Sequence, residues 1–147
     1  MTDSGKLITG FMMACHAGTT TAQRQYMHIH IIHPDPAQEY AFVEGCGILE
    51  SWNDPDDPQA SIARARVAPG VTTRWHALVD VTERYLVLSG TGRVEIGDAA
   101  PADVQAGNVV VIPAGVRQRI TNTGAEDLLF YAICTPRFTP ACYAALD

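Results

Sequence analysis

The chain has 147 residues, of which 47% are hydrophobic and 18% charged, and its 16 acidic and 10 basic residues give a formal net charge of -6. A chain of this length buries roughly two thirds of its unfolded surface as one domain, which argues against two full domains. The acidic balance argues against nucleic acid and anionic membrane as partners, because both bind surfaces rich in Lys and Arg.

The N-terminal segment, residues 1–26, is rich in Thr, Ala and Gly and lacks periodicity, which predicts a flexible extension. Residues 27–147 consist instead of short runs of Val, Ile, Leu, Tyr and Phe, separated by Gly, Pro, Asp and Asn at intervals of roughly eight to twelve residues. We therefore predict a β-rich domain at 27–147. Because Met27 opens this domain, whether the extension belongs to the working protein stays open.

Seven segments have the composition of strands: residues 47–52, 61–67, 84–90, 92–97, 108–113, 117–122 and 128–135. Seven or more short strands in about 110 residues must close on themselves or pair as two sheets to hide their edges. This predicts an all-β fold, a single small antiparallel β-barrel or double-stranded jelly roll. The tail "TPACYAALD" is predicted to form a final helical turn or two.

The cysteines contain no CxxC pair, which argues against a zinc knuckle or a thioredoxin-like motif. They are Cys15, Cys46, Cys134 and Cys142. Unpaired cysteines behave as small buried hydrophobes, so we expect free thiols, a usage that suits the reducing cytoplasm. No apolar run approaches the ~20 residues of a membrane span, and the N-terminal segment is a poor match to a secretion signal, so we expect a cytoplasmic protein.

Two stretches of the chain have a regular spacing of Gly, Pro and polar residues. The first has gaps of five, one, four and six residues and consists of Gly70, His76, Leu78, Glu83 and Gly90. The second has gaps of five, one, two and three residues and consists of Gly107, Pro113, Gly115, Gln118 and Asn122. Sixteen residues separate the two stretches. Gly and Pro at these places predict tight turns flanking strands.

Together, the two stretches resemble the two motifs of the cupin superfamily, G(x)5HxH(x)3,4E(x)6G and G(x)5PxG(x)2H(x)3N. Eight of the ten fixed positions match, and the resemblance covers about residues 36–147. It implies a small single-domain cupin. It also implies a homodimer paired through an edge strand, which is a usual way to cover an exposed sheet edge.

The two mismatches fall on positions that bind a divalent metal in the cupin family. Carried over to this sequence, His76 and Glu83 keep two ligands, whereas Leu78 and Gln118 replace two histidines. An amide oxygen is a weak, neutral donor, but an open coordination sphere is what a catalytic metal requires. The reduced set of His76, Glu83 and Gln118 therefore leaves open both a site with a divalent metal, Fe, Zn, Mn or Ni, and a site without one.

Without a metal, His76 and Glu83 predict a coupled acid–base pair, in which Glu83 abstracts a proton and His76 returns it while Gln118 holds a carbonyl or hydroxyl of the substrate. We therefore expect a small-molecule oxygenase, isomerase or lyase with these residues at its catalytic centre. The alternative is a non-catalytic, sensor-like barrel in which the three side chains only satisfy one another. Sugar-phosphate isomerisation is a third, more superficial reading.

Strand alternation and neighbouring residues suggest what else lines the pocket. Tyr85 shares the inward face of its strand with Glu83. Arg64 and Arg66 share one strand face and predict a site for a substrate carboxylate or phosphate, although a solvated or subunit-facing surface is the commoner role of such a pair. Trp75 is a candidate aromatic wall, with core packing as its other reading.

Three further histidines lie near the start of the predicted domain, at His28, His30 and His33. His28 and His30 fall on one face of a strand, which is a plausible spacing for two ligands. A solvent-facing or dimer-edge strand is the simpler interpretation. The other hypothesis is that this arm folds over the barrel mouth and supplies an imidazole missing at Leu78 or Gln118. Deleting residues 1–33 then lowers the metal content, and an unchanged content contradicts the hypothesis.

Overall fold

The computed structural model describes residues 30–146. The chain divides into two compact units, Met1–Ile31 and Ile32–Asp147, and the fold described below is that of the second. The predicted extension at residues 1–26 and the predicted domain start at Met27 lie outside the described residues.

Eleven strands make up about half of the described chain. They are β1 (Tyr40–Ala41), β2 (Gly47–Trp52), β3 (Ser61–Val67), β4 (His76–Leu78), β5 (Thr82–Ser89), β6 (Thr91–Ile96), β7 (Ala102–Gln105), β8 (Val109–Ile112), β9 (Gln118–Asn122), β10 (Leu128–Thr135) and β11 (Tyr143–Ala145). Two single 3-10 turns, Pro36–Gln38 and Pro140–Cys142, are the helical segments within residues 30–146. Over the same range, no helix has the length and apolar character needed to cross a membrane.

The strands form two antiparallel sheets. One has six strands in the order β1-β2-β3-β10-β5-β8, and the other has five in the order β11-β4-β9-β6-β7. Strands that are distant in sequence lie side by side, such as β3 with β10 and β4 with β9. The predicted all-β jelly roll is therefore confirmed. The homodimer predicted through an edge strand stays a prediction.

Alternation along β5 and β9 directs one set of side chains into the space between the sheets. On β5 the buried residues are Glu83, Tyr85 and Val87, and on β9 they are Gln118, Ile120 and Asn122. Because successive side chains of a strand point to opposite faces, the polar members of each set are carried into the same interior as the apolar ones. The interior core is otherwise aliphatic and aromatic, which isolates these polar groups from water.

Gly90, the last fixed residue of the first motif, joins β5 to β6 with a φ of +84°. A Cβ at this position lies 2.8 Å from the carbonyl oxygen of Asp127 and 2.9 Å from the Cα of Leu128, both of them backbone atoms. Only glycine satisfies the positive φ and the close backbone approach together. The motif glycine therefore fixes the turn from β5 to β6, which passes close to the start of β10.

Asn122, the last fixed residue of the second motif, closes the turn that follows β9. Its amide nitrogen donates to the carbonyls of Val67 and Glu126, each at 2.8 Å, and its amide oxygen accepts from the backbone nitrogen of Gly124 at 2.8 Å. With 1% of its surface exposed, Asn122 serves the turn and the backbone rather than a ligand.

We expect Asn122→Ala to lower the free energy of unfolding by roughly 3 kcal/mol, because it leaves buried backbone groups without partners. Urea unfolding followed by fluorescence measures the change. The matched control is Asn108→Ala, since the Asn108 side chain accepts only one exposed bond, from the backbone nitrogen of Gln105. Equal losses for the two variants contradict the structural role of Asn122.

The predicted helical tail is wrong beyond its first turn. Pro140–Cys142 forms a 3-10 turn, and Tyr143–Ala145 then continues as β11, which pairs with β4. The backbone nitrogen of Leu146 donates to the carbonyl of Trp75 at 3.0 Å, and that of Val79 donates to the carbonyl of Cys142 at 2.8 Å. Tertiary pairing with β4 therefore overrides the local helix preference of Ala and Leu.

Candidate active site

A cavity, called here the barrel cavity, lies between the two sheets and has a volume of about 70 Å³. Its lining includes the exposed side chains of Tyr40 and Glu50, so it opens to solvent beside β1 and β2. Within residues 30–146, six aromatic residues line it: Tyr40, Phe42, Trp52, Tyr85, Phe130 and Phe138. Three carboxylic acids line it as well: Glu44, Glu50 and Glu83. The cavity is thus an aromatic chamber with acidic groups.

Glu83, on β5, lines the barrel cavity and has 7% of its surface exposed. Its Oε2 accepts a hydrogen bond from Nε2 of Gln118 at 2.6 Å, and its Oε1 accepts a weaker one from the thiol of Cys134 at 3.8 Å. Burial raises the pKa of Glu83 to about 7 by removing the carboxylate from water. The two hydrogen bonds favour the ionised form and lower the pKa, but they do not compensate for this desolvation. This carboxyl group therefore exchanges its proton near neutral pH.

Gln118, on β9, lies behind Glu83 and is not one of the lining residues. Its amide oxygen accepts a hydrogen bond from the hydroxyl of Tyr85 at 2.9 Å, so its two ends bridge Tyr85 and Glu83. Burial raises the pKa of Tyr85 well above its usual range, which keeps this hydroxyl protonated and donating. The bridge fixes the rotamer of Glu83 and hence the direction of its carboxylate.

Glu44 is a second interior carboxylic acid, and the sequence reasoning did not single it out. It lies in the turn between β1 and β2, lines the barrel cavity and has 14% of its side chain exposed. Its carbonyl accepts a hydrogen bond from the backbone nitrogen of Arg74 at 3.0 Å, which ties the turn to the segment before β4. Burial, and to a smaller degree the charge of Glu83, raises the pKa of Glu44 to about 8.

His76, on β4, lies behind Glu44 rather than among the lining residues. Its Nδ1 is 2.9 Å from the carbonyl oxygen of Arg74, which only accepts, so Nδ1 carries a proton. Its Nε2 is 3.3 Å from Oε1 of Glu44, and the ring stacks on Tyr143 at a centroid distance of 5.5 Å. Nε2 of His76 therefore faces the carboxyl group of Glu44, and Glu44 is the member of this pair that lines the cavity.

The predicted catalytic trio of His76, Glu83 and Gln118 is thus brought into one buried region, with only Glu83 exposed to the cavity. Of the residues predicted to line the pocket, Tyr85 does so. Nothing in the local sequence around Glu44 signals its position, because it lies in a turn and reaches the site through a contact with residues thirty positions further along the chain.

Arg64 and Arg66 are not among the lining residues and project from β3 beside Glu39. Arg64 Nη2 is 3.2 Å from Oε2 of Glu39, and Arg66 Nη2 is 2.6 Å from Oε1. Arg66 also approaches Asp127 at 3.6 Å. Both guanidinium groups are therefore engaged by carboxylates away from the barrel cavity.

Trp75 also lies away from the barrel cavity, although it is next to His76 in sequence. The guanidinium groups of Arg117 and Arg119 stack over its ring at 4.9 Å and 4.5 Å from the ring centre. Trp75 immediately precedes β4 and contacts these two arginines, whereas His76 begins β4 and is buried.

Of the histidines near the domain start, His28 lies outside the described residues, and His30 and His33 are exposed. The hypothesis that this arm contributes an imidazole to the barrel stays a prediction.

The prediction of free, buried thiols is confirmed for Cys46, Cys134 and Cys142, whereas Cys15 lies outside the described residues. Burial raises the pKa of Cys46 to about 12 and also raises the pKa of Cys134. The Cys46 thiol is 3.9 Å from Oε2 of Glu44, as the Cys134 thiol is close to Glu83. Glu44 and Glu83 therefore each have a protonated thiol beside them.

A family model described as "Cupin domain" matches residues 63–134, the part of the chain that holds both motifs and the strands from β3 to β10. This chain belongs to the cupin superfamily. No curated protein matches its sequence.

Solved structures similar to this cupin share its fold at low sequence identity. A protein with a double-stranded beta-helix domain from Klebsiella pneumoniae is 16% identical, with a TM-score of 0.60 over 79% of this chain and 90% of that one. The Streptomyces nucleoside dehydratase Pac13 is 16% identical, with a TM-score of 0.65 over 80% and 92%. Oxalate decarboxylase from Lactobacillus farciminis, in a formate complex, is 22% identical, with a TM-score of 0.63 over 74% of this chain and 33% of that one.

The side chains at the cupin ligand positions do not fit a divalent ion as they are arranged. Leu78 offers no donor atom, both oxygens of Glu83 accept hydrogen bonds, and the amide of Gln118 points its nitrogen, not its oxygen, at Glu83. Within residues 30–146, no group of three or more His, Cys, Asp or Glu side chains is placed to hold a metal ion. The hydrogen bonds instead join Glu83, Gln118 and Tyr85 into one network.

We expect Zn²⁺ or Mn²⁺ to leave the melting temperature of the untagged protein unchanged. The double variant Leu78→His with Gln118→His restores two imidazoles, so added metal is expected to raise its melting temperature by roughly 5–10 °C. Differential scanning calorimetry with and without EDTA makes the comparison. Stabilisation of the unmodified protein by one equivalent of metal contradicts this description of the donor set.

Proposed function

We propose that this cupin is a small-molecule enzyme that catalyses proton transfer, as an isomerase or a lyase, with Glu83 and Glu44 as its acid–base pair. One observation carries the proposal: two carboxylic acids, Glu83 buried and Glu44 partly buried, line the same aromatic cavity, and each is held from behind by a polar partner. Carboxyl groups whose pKa values lie near the working pH are suited to general acid–base catalysis.

In this mechanism, ionised Glu83 abstracts a proton from a carbon atom of the bound molecule. The pKa of about 7 supplies both an ionised fraction and useful basicity near neutral pH. The amide of Gln118 stabilises the carboxylate and holds its orientation. The electron pair left on carbon forms a double bond within the substrate, either by shifting a neighbouring double bond or by expelling a hydroxyl group.

Glu44 takes the acid role in this proposal, because its pKa of about 8 keeps it mostly protonated near neutral pH. It gives its proton to a second carbon in an isomerisation, or to the departing hydroxyl, which leaves as water, in an elimination. His76 acts behind Glu44 as the group that holds and returns the proton. His76 and Gln118 are positioning residues here, and Arg64, Arg66 and Trp75 have no role.

Similarity to Pac13 supports this class of reaction. That protein is described as a nucleoside dehydratase and has been solved with uridine, so the cupin barrel in that case accommodates a dehydration, which is a lyase reaction. At 16% identity the likeness concerns the fold, and the chemistry assigned to this chain depends on its own carboxylic acids.

A non-catalytic binding barrel is the second candidate, and one observation favours it. Both oxygens of Glu83 and both ends of the Gln118 amide already have hydrogen-bond partners within the protein. Such a satisfied network also occurs where polar groups merely stabilise a cavity wall.

Incubation in D₂O distinguishes the two candidates. Hydroxy- and keto-compounds and nucleosides such as uridine are mixed with the protein, and proton NMR follows deuterium entering a carbon position or loss of water. An enzyme produces exchange or elimination with at least one compound. A binding barrel shifts the resonances of a ligand without either change. We also propose that the chain forms a homodimer, which has no role in the proposed chemistry.

A further inference from the structure

The barrel cavity has an unbalanced charge composition. Glu44, Glu50 and Glu83 line it, and none of the lining residues found within 30–146 is a Lys, Arg or His. Glu83 is buried, Glu44 is partly buried, and Glu50 is exposed at the opening. A cation bound beside Glu44 and Glu83 favours their ionised forms, including that of Glu44, which is mostly protonated before the cation binds; an anion gains no such attraction.

The arginines of the neighbouring segments do not line the cavity and have hydrogen-bond partners of their own. Arg137 Nη1 donates to the side-chain oxygen of Asn53 at 2.8 Å, and Arg84 Nη1 donates to the hydroxyl of Thr135 at 2.7 Å. Arg64 and Arg66 are held by Glu39. An anion entering the cavity thus meets carboxylic acids with no lining cation to offset them.

Aromatic rings surround the same opening. Phe42 makes edge contacts with Tyr40 and with Phe138, at ring-centre distances of 6.4 Å and 6.2 Å. The Tyr40 hydroxyl donates to Glu50 at 3.3 Å, and Nε1 of Trp52 donates to Asp57 at 2.9 Å, so the polar ends of these rings are satisfied by acidic groups. Ring faces combined with carboxylates attract organic cations by both cation–π and Coulomb interactions.

We propose that the ligand of the barrel cavity is a small organic amine, bound as an ammonium cation with a flat apolar body. Its amine lies toward Glu44 and Glu83, and its body packs between the rings at the opening. This inference names the substrate class of the site used in the proposed function, and it rests on that site. It differs from the carboxylate or phosphate ligand that Arg64 and Arg66 predict from the sequence.

Three probes with one ring and different charge test the inference: benzylamine, benzyl alcohol and benzoate. Binding to the full chain is measured at pH 7 by isothermal titration calorimetry and by chemical-shift changes. We expect benzylamine to bind at least tenfold more tightly than benzoate, with benzyl alcohol between them, and the gap to narrow at high salt. Benzoate binding as tightly as benzylamine overturns the inference, and so does the absence of binding by all three.

Variants that replace a carboxylic acid by its isosteric amide show which acid produces the preference for benzylamine. Glu44→Gln is expected to weaken benzylamine binding about tenfold and Glu50→Gln two- to threefold, because Glu50 is exposed and better screened, while benzyl alcohol is affected little by either. The matched control is Glu126→Gln, which makes the same change in net charge at an exposed residue that does not line the cavity. An equal loss of benzylamine affinity in this control overturns the inference.

Failure of this inference is distinguishable from failure of the proposed function. If Glu83→Gln abolishes proton exchange with a substrate while benzoate binds as well as benzylamine, the ligand class is wrong and the chemistry stands. If the amine preference holds but no compound exchanges or eliminates, the amine site stands and the cupin is a binding barrel.

Discussion

Glu83→Gln is expected to lower the rate of proton exchange or elimination by roughly 10²–10⁴-fold, the usual contribution of a general base. The reason is that an amide cannot accept the substrate proton, although it keeps the shape of the side chain and can still contact Gln118. Deuterium incorporation followed by NMR measures the rate. Circular dichroism and the melting temperature show that the variant folds.

Glu44→Gln provides the matching test of the acid, with a loss in the same range. In the elimination reaction, substrates with a better leaving group need less help from Glu44, so their rates fall less in Glu44→Gln than in Glu83→Gln. Glu126→Gln serves as the control with full activity. Retention of activity in both Glu83→Gln and Glu44→Gln removes the acid–base proposal.

We also expect a large fall in the free energy of unfolding as the pH rises toward 8. Burial raises the pKa of Glu83 from 4.5 to about 7 and that of Glu44 from 4.5 to about 8. Between pH 4.5 and these values the folded chain binds more protons than the unfolded chain, so the free energy of unfolding falls as pH increases. The stabilisation is fully present below pH 4.5 and disappears as the pH passes through the raised values. For Glu83 alone it amounts to about 3 kcal/mol.

Urea unfolding between pH 5 and 8.5 measures this dependence. Glu83→Gln and Glu44→Gln are each expected to flatten the decline, and their effects are not additive because the two carboxyl groups interact. Glu39 has the opposite effect, because the hydrogen bond from Arg66 lowers its pKa. Its contribution to the free energy of unfolding is therefore lost only as the pH falls below about 4.5. A free energy of unfolding that rises steadily from pH 5 to 8 contradicts the raised pKa values.

The strands with clear alternation could be predicted from the sequence. Residues 47–52, 61–67 and 128–135 are strands with the predicted bounds, and four others differ by one or two residues at their ends. β1, β4, β7 and β11 were not predicted, because each has two to four residues, too few for a period of two to appear. β4 is also buried at all three positions, so it has no alternation to detect.

The candidate site was predictable only in part, for a similar reason. The motif spacing places Glu83 and Gln118 on inward positions of β5 and β9, and the fold brings them together at 2.6 Å. Whether a motif residue faces the cavity or lies behind another side chain depends on neighbours from other strands. His76 has the expected position in the motif but lies behind Glu44, which no motif contains.

By itself, the sequence determined the all-β jelly roll and the inward faces of β5 and β9. Strand alternation and glycine turns are local properties of the backbone, and they can be read residue by residue. The tertiary structure alone decided that Glu44 joins Glu83 in one cavity, and that Arg64 and Arg66 are held by Glu39 outside it. These outcomes depend on packing between segments 25 or more residues apart. Of the residues at the cupin ligand positions, Glu83 lines the cavity, while Gln118 contacts Glu83 and His76 contacts Glu44 from behind.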